Sequence, residues 1–380
     1  MSTPVNKIFV VASAFVWMFA AGALAQPSSP MRNKITLPAN SPVSLLSADW
    51  GDSGTQVRGG AVMLDVRLSL QLRNEDRGRR IRGVTLAVVS QSSSSAAAGG
   101  KASVTVPTLD VGPGEAFPIR WNLQLLRPLQ NGSEPDVEVT LDGVLFDNLT
   151  FFGPDQLKSK RTLTVWELES RRDRKYYRAL LESGGVEGLR AALIESAQRQ
   201  QDRPKIGVST ARNARVTNVD LEHQVHFAFL KMPESPVEAV DGIAQVSANE
   251  AVVPRFEIHN KSDKQVQHLE LGLIVRDQQG REFLAGSAPA DPSLAPGQRT
   301  QVSQNTLLRF PPATSVQGIS GVVTSVEFGD GQVWVPSRAA LNSDPRLRAL
   351  MPASPEEQRL LQLYQKRGIQ GVMDELKRVN

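Results

Sequence analysis

The sequence predicts a mainly β protein made of two tandem β-sandwich domains, each followed by a short helical hairpin. Three observations predict it. Apolar and turn residues recur in the same order in two blocks of the chain, 74–166 and 260–334. Within the blocks, apolar residues alternate with other side chains, the period of a strand with one buried face. Behind each block runs an apolar stripe at helical spacing, interrupted by glycine.

The recurrence is specific. Ile81, Val84, Leu86, Val88 and Val89 keep the mutual spacing of Val266, Leu269, Leu271, Leu273 and Ile274. Val111-Gly112-Pro113-Gly114-Glu115 matches Leu294-Ala295-Pro296-Gly297-Gln298, where proline presets φ and glycine accepts a positive φ, so both read as turns. Val137, Leu141, Val144 and Phe146 line up with Ile319, Val323, Val326 and Phe328, and the blocks end on Val165-Trp166 and Val333-Trp334.

Along the chain, Lys7, the apolar run 8–19 and Ala23-Leu24-Ala25 form a secretory signal (residues 1–25), with cleavage expected after Ala25. Retention as a membrane anchor is the alternative, since 8–25 approaches the length that spans a bilayer. Residues 26–34 are a polar, proline-broken lead. The first sandwich is expected over 35–168, with strands at 43–50, 62–72, 80–90, 102–106, 117–126, 136–152 and 161–167. About seven strands at this spacing predict an immunoglobulin-like sandwich. Phe151 and Phe152 read as the tip of an added hairpin arm, either partner-covered or folded back on their own core. The serine and alanine tract 92–100 reads as a loop.

A helical hairpin is expected over 169–200. Ser170-Arg171-Arg172-Asp173 serves as its cap, Tyr176, Tyr177, Leu180 and Leu181 as its stripe, and Gly184-Gly185 as its break. A linker follows at 201–204, and the second sandwich at 205–337 has strands at 215–220, 224–231, 252–260, 265–276, 298–308, 319–328 and 332–335. The C-terminal helices, 338–380, repeat the design: Ser354-Pro355-Glu356-Glu357 caps a helix, and Gly368 breaks it. The three tyrosines, Tyr176, Tyr177 and Tyr364, all belong to these helices. They would glue each helix pair to its own sandwich or meet another chain.

Composition removes several function classes. The net charge of +4 on 380 residues gives no warrant for nucleic acid, and the basic stretch 73–80 is interrupted by its own acids. Without cysteine there is no thiol catalysis and no thiolate zinc site. Export without cysteine points to a bacterial envelope or secreted protein. Gly51-Asp52-Ser53-Gly54 is similar to the serine-nucleophile segment of chymotrypsin-like proteases, yet every histidine lies far downstream and a glycine-rich turn accounts for the serine's neighbours. His223 and His226 cannot share one metal ion, because strand residues three apart face opposite ways. No enzyme, cofactor or metal is therefore expected.

Asn260-Lys261-Ser262, the strands that follow, Asp277 and Leu294-Ala295-Pro296-Gly297 together resemble the secreted bacterial immunoglobulin-like modules of the FxLYD kind. At the naming motif, Leu273-Ile274-Val275-Arg276-Asp277 keeps the apolar character and the aspartate. The resemblance implies a sandwich without known chemistry. The function expected is protein assembly in the envelope or outside the cell, with another envelope or secreted protein as partner, no nucleic acid, and no membrane span once the signal is removed. The alternative is carbohydrate binding through an exposed aromatic, with Trp121 as its candidate because Gln304 stands opposite it in the second block. The candidate interaction residues are Trp121, Phe151, Phe152, Tyr176, Tyr177 and Tyr364.

Overall fold

The computed structural model describes residues 32–58, 60–91, 100–128, 136–212, 223–247, 250–311 and 314–378. The signal segment, most of the lead, the tract 92–99 and the strand expected at 215–220 lie outside the described residues. The chain is mainly β, in several sandwich-like sheets, and divides into two compact units, Met1–Glu167 and Leu168–Asn380.

The first unit contains β1 (Arg32–Thr36), β2 (Val43–Asp49), β3 (Gly54–Arg58), β4 (Ala61–Asn74), β5 (Ile81–Gln91), β6 (Lys101–Val106), β7 (Ala116–Pro128), β8 (Asp136–Phe146) and β9 (Phe151–Phe152). One sheet runs β1-β8-β5-β6 with β9 on β8; the other is built on β4. Strand β7 pairs with β4 from Ala61 to Arg73, while β2 and then β3 take its opposite edge. The alternation of β4 does what its period requires: Val62, Leu64, Val66, Leu68, Leu70 and Leu72 are all buried, in one core with Ile119, Leu86 and Val139. Each such side chain contributes roughly 1.5–3 kcal/mol when fully buried.

Helix α1 (Ser159–Asp202) starts in the first unit and corrects the sequence reading in two places. The strand expected at 161–167 is its first turns, so Trp166 lies on a helix whereas Trp334 lies on a strand. Asp142 explains the start: its buried carboxylate accepts from the N–H of Gln156 at 2.8 Å and from Ser159 Oγ at 2.7 Å, satisfying donors that a helix entry leaves open. Ser170, expected as a cap, is buried inside the helix. The place of a return strand on β8 is taken by Phe151-Phe152, paired with Leu145 and Val144, just as Val333-Trp334 pairs with Glu327 and Val326 in the second unit.

The second unit contains β10 (Ser209–Arg212), β11 (His223–Phe229), β12 (Val237–Ser247), β13 (Glu250–Asn260), β14 (Val266–Asp277), β15 (Glu282–Ala290), β16 (Arg299–Arg309), β17 (Val316–Phe328) and β18 (Val333–Trp334). They form a nine-stranded, nearly barrel-like sheet in the order β10-β16-β13-β12-β11-β17-β14-β15, with β18 on β17. Strand β11 links its two halves. Residues 223–226 run antiparallel to β12, and Phe227 to Phe229 run parallel to β17.

Local geometry recurs between the units. Asn74 and Asn260 are fully buried strand ends. Asn74 Nδ2 donates to the carbonyls of Arg79 at 3.0 Å and Val111 at 3.1 Å; Asn260 Nδ2 donates to those of Lys264 at 2.8 Å and Leu294 at 3.1 Å. The carbonyl of each asparagine accepts from a turn glycine, Gly114 or Gly297, at φ 75° and 70°, which an L side chain rarely adopts. Strand β5 pairs with β8 through Val84 and Val144, then Leu86 and Leu141, with a bulge between; β14 pairs with β17 through Leu269 and Val326, then Leu271 and Val323, with a bulge at the same step.

Helices α2 (Arg338–Ser343), α3 (Pro345–Leu350) and α4 (Pro355–Arg378) complete the second unit. The glycine breaks are where the sequence places them, at Gly185 (φ 61°, ψ −158°) and Gly368 (φ 66°, ψ −170°). The helices do not each pack on a sandwich of their own. Tyr177, Leu189 and Leu193 of α1 bury themselves against Leu360, Leu361, Val372 and Leu376 of α4, because two apolar stripes at helical spacing complete each other's cover.

Candidate functional site

The most concentrated polar chemistry lies where α1 meets α2 and α4. Ser354 caps α4 as the sequence indicates, its Oγ accepting from the N–H of Glu357 at 3.1 Å. The Glu357 carboxylate is diverted from the box. It accepts from Tyr177 Oη at 3.0 Å, Ser196 Oγ at 2.5 Å and Arg199 at 2.7 Å, and from two nitrogens of Arg338, each at 2.9 Å. Burial works against this charge, yet the hydrogen bonds and positive charge of Arg338, with Ser196 and Arg199, outweigh it and hold the carboxyl at about 2. Burial, with the Glu357 charge next, pushes the Tyr177 phenol well above its ordinary value.

The ionic groups around it are likewise engaged. Arg172 grips Asp173 at 2.8 and 3.1 Å and donates to the carbonyl of Pro336 at 3.1 Å. Glu356, fully buried, takes two bonds from Arg359, which reaches on to Glu375 at 2.7 Å. Glu169 still reaches solvent in part, but protein surrounds it closely enough that burial dominates and lifts its carboxyl to about 7. So many mutually satisfied groups form a structural clamp.

The sequence-nominated residues are placed as follows. Trp121 is 4 % exposed, within the core of the first unit, because its position on β7 falls on the inward side of the alternation. It offers no platform for a sugar, which is a correction to the carbohydrate reading. Phe151 and Phe152 are half-buried; Phe152 packs on the core, and the Phe151 ring lies over Gly143, where a Cβ would fall 2.1 Å from its Cζ. They cover their own sheet. Tyr177 is fully buried, Tyr176 meets it edge to face at 5.2 Å beneath the Arg338 guanidinium, and Tyr364 packs on the same helical cluster. Spacing therefore finds the tyrosines but not the Arg338, Arg199 and Ser196 groups that converge with Tyr177 on Glu357.

Ser53 is held by backbone. Its Oγ donates to the carbonyl of Trp50 at 2.5 Å and accepts from the N–H of Arg67 at 2.8 Å, stitching the gap between β2 and β3 onto β4. In the basic stretch, Arg79 is bound to Asp76, holding that carboxyl at about 2, and Arg80 is bound to Asp110 at 2.8 Å. His268 was not anticipated. It is buried, with Nδ1 2.7 Å from the 74 % exposed Asp291 carboxylate, a partner 23 residues away that no local spacing could reveal. Among the described residues no three histidine, aspartate or glutamate side chains gather to hold a metal ion, and no helix there is long and apolar enough to cross a membrane.

One surface is left open. Among the described residues, β2 and β3 pair only with β4, so their outer backbone edge has no strand beside it. Beyond Ser44, β2 is exposed along its length, and Leu45, Leu46 and Val57 stand out at 37 %, 43 % and 45 % exposure. In the second unit β12 lies on the corresponding side of β13, and β11 pairs with its Ile243–Val246 stretch.

No protein-family model and no curated protein matches the chain. Among solved structures, β-glucosidase from Kluyveromyces marxianus is 8 % identical, with 69 % of this chain and 44 % of that chain covered and a TM-score of 0.18. The β-glucosidase DesR from Streptomyces venezuelae is 10 % identical over 73 % of this chain and 47 % of that one, at 0.15. Red sea bream transglutaminase is 11 % identical over 74 % and 31 %, at 0.12. The chain spans under half the length of each, and likeness at these scores carries no argument about fold or chemistry.

Proposed function

We propose that this chain is a non-catalytic protein of the bacterial envelope or secreted space, whose β-sandwich surfaces serve assembly with another protein. The observation that carries this reading is the open outer edge of β2 and β3. An unpaired edge flanked by exposed leucine and valine is a ready template for another chain, and soluble proteins ordinarily cover or charge such edges. In the second unit part of the corresponding edge, Ile243–Val246, is paired with β11. Export is supported by Lys7, the apolar run 8–19 and Ala23-Leu24-Ala25.

We also read the two units as copies of one ancestral immunoglobulin-like sandwich. Support comes from the matched asparagine hydrogen bonds, the matched bulges, and the shared pairing of β1 with β8 and β11 with β17, both parallel. Reuse of one scaffold with this edge open in one unit and partly paired in the other suits a protein that offers an attachment strand.

Photo-crosslinking in the intact envelope tests the assembly reading. A photoreactive side chain at Leu46 or Val57 gives a discrete heavier adduct, identified by mass spectrometry, whereas one at the exposed Arg367 does not. Monomer alone from both edge positions removes the support for strand addition.

A further inference from the structure

The second unit contains a cavity of about 220 Å³, lined on its apolar side by Phe229, Met232, Val237 and Val323. We propose that it binds a small amphipathic anion, an unbranched aliphatic carboxylate whose chain lies on that apolar side and whose head meets Lys231 and Lys261 at the rim. The cavity opens at the end of β11, where the loop 230–236 returns towards β12. Met232, Val237 and Val323 are buried and fixed by the surrounding strands, so the apolar wall is preformed. The Phe229 ring is set by two glycines: a Cβ on Gly321 would fall 2.6 Å from its Cε1, and one on Gly242 would fall 3.0 Å from its Cζ. A space of this size holds about seven waters at ~30 Å³ each. Water lying against such a wall is displaced favourably by methylene groups.

The rim selects the head group. Lys261 is exposed and, among the described residues, has no carboxylate within ion-pair distance; Lys231 is 84 % exposed with its nearest carboxylate, Glu238, at 3.9 Å. The stem of Lys231 therefore does not fill the cavity, and the rim carries one positive charge in excess. The fold does not demand a cation there. In the first unit Glu75 donates its N–H to the carbonyl of Pro42, as Lys261 does to that of Pro236, each at 2.8 Å, and the Glu75 carboxylate is tied to Ser44 Oγ at 2.5 Å. One backbone position thus carries a carboxylate held by its neighbour in one unit and an ammonium open to a ligand in the other.

Calorimetric titration of the full chain with hexanoate, octanoate and 1-octanol tests the site. Affinity rises about fourfold per added methylene until the cavity is filled, and octanoate binds more tightly than octanol. Lys231→Gln and Lys261→Gln each weaken octanoate about threefold to fivefold and leave octanol unchanged. Glu238→Gln, on an accessible side chain, strengthens octanoate by a similar factor, a sign that a purely structural glutamate would not give. Ala239→Phe, which fills the cavity, abolishes binding of both; should that variant fail to fold, the lysine and glutamate variants decide. Absence of saturable octanoate binding, equal binding of acid and alcohol, or indifference to the three rim substitutions overturns the proposal.

Discussion

At the scale of single residues, Glu357 is the group on which most depends. Its carboxylate joins Arg338, Arg199, Tyr177 and Ser196, from segments up to 180 residues away in sequence. Replacing one partner of a buried ion pair leaves the other charge unmatched, at about 3–5 kcal/mol. Glu357→Gln therefore lowers the unfolding free energy by about that amount in urea titration, and an unchanged midpoint would refute the clamp. The pH dependence has a definite sign. A carboxyl held at about 2 against an ordinary value of 4.5 adds stability that is complete above pH 4.5 and disappears as pH falls from about 4.5 to about 2. The variant lacks that part of the acid limb. Sequence could show Ser354 and Glu357 as a cap, since capping is local, but it could not show the diversion of the carboxylate, which depends on side chains brought together only by folding. Asp277 shows the local case again: fully buried, it accepts from the N–H of Gln279 and Arg281 and closes the β14–β15 turn. Trp121 was legible too: Phe117, Ile119, Trp121, Leu123 and Leu125 alternate along β7 and are all buried, a local period that comparison with Gln304 passed over.

At the scale of elements, legibility followed the strength of the period. Strand β4, with six alternating apolar residues, and the glycine breaks of the helices were plain in the sequence. Strand β12 was missed because a bulge after Ala239 interrupts its alternation, and β15 because small residues, Ala285, Ala288 and Ala290, supply most of its buried face. The start of α1 was misread because 161–167 also alternates, and only the distant Asp142 identifies it as a helix entry. The breaks give a prediction. Gly185 and Gly368 combine positive φ with extended ψ, a conformation essentially confined to glycine, and neither has an atom where a Cβ would go. Gly185→Ala and Gly368→Ala should each destabilise by about 1–3 kcal/mol through backbone strain alone. Thermal melts show a lowered midpoint for each, and no loss in either would mean that the helices tolerate straightening at these points.

At the scale of the whole molecule, the decisive difference from the sequence reading is the assignment of the helices. Sequence symmetry gives each sandwich its own helical pair, but α1 on both sides of its break and α4 share one apolar cluster inside the second unit. The core of the first unit draws its buried members from Val43 through Phe146 and includes no residue of α4. Removing 355–380 therefore has a lopsided outcome. Tyr177, Leu189 and Leu193 lose their cover, and Arg338 and Arg199 lose Glu357, so α1 beyond Gly185 unravels together with the deleted segment. The helical signal in circular dichroism falls by more than the 24 residues of α4 account for, while the unfolding transition of the first β-rich core survives. A loss limited to those 24 residues would show that α1 stands without α4, and that the long-range contact between Tyr177 and Glu357 adds little to the unit it closes.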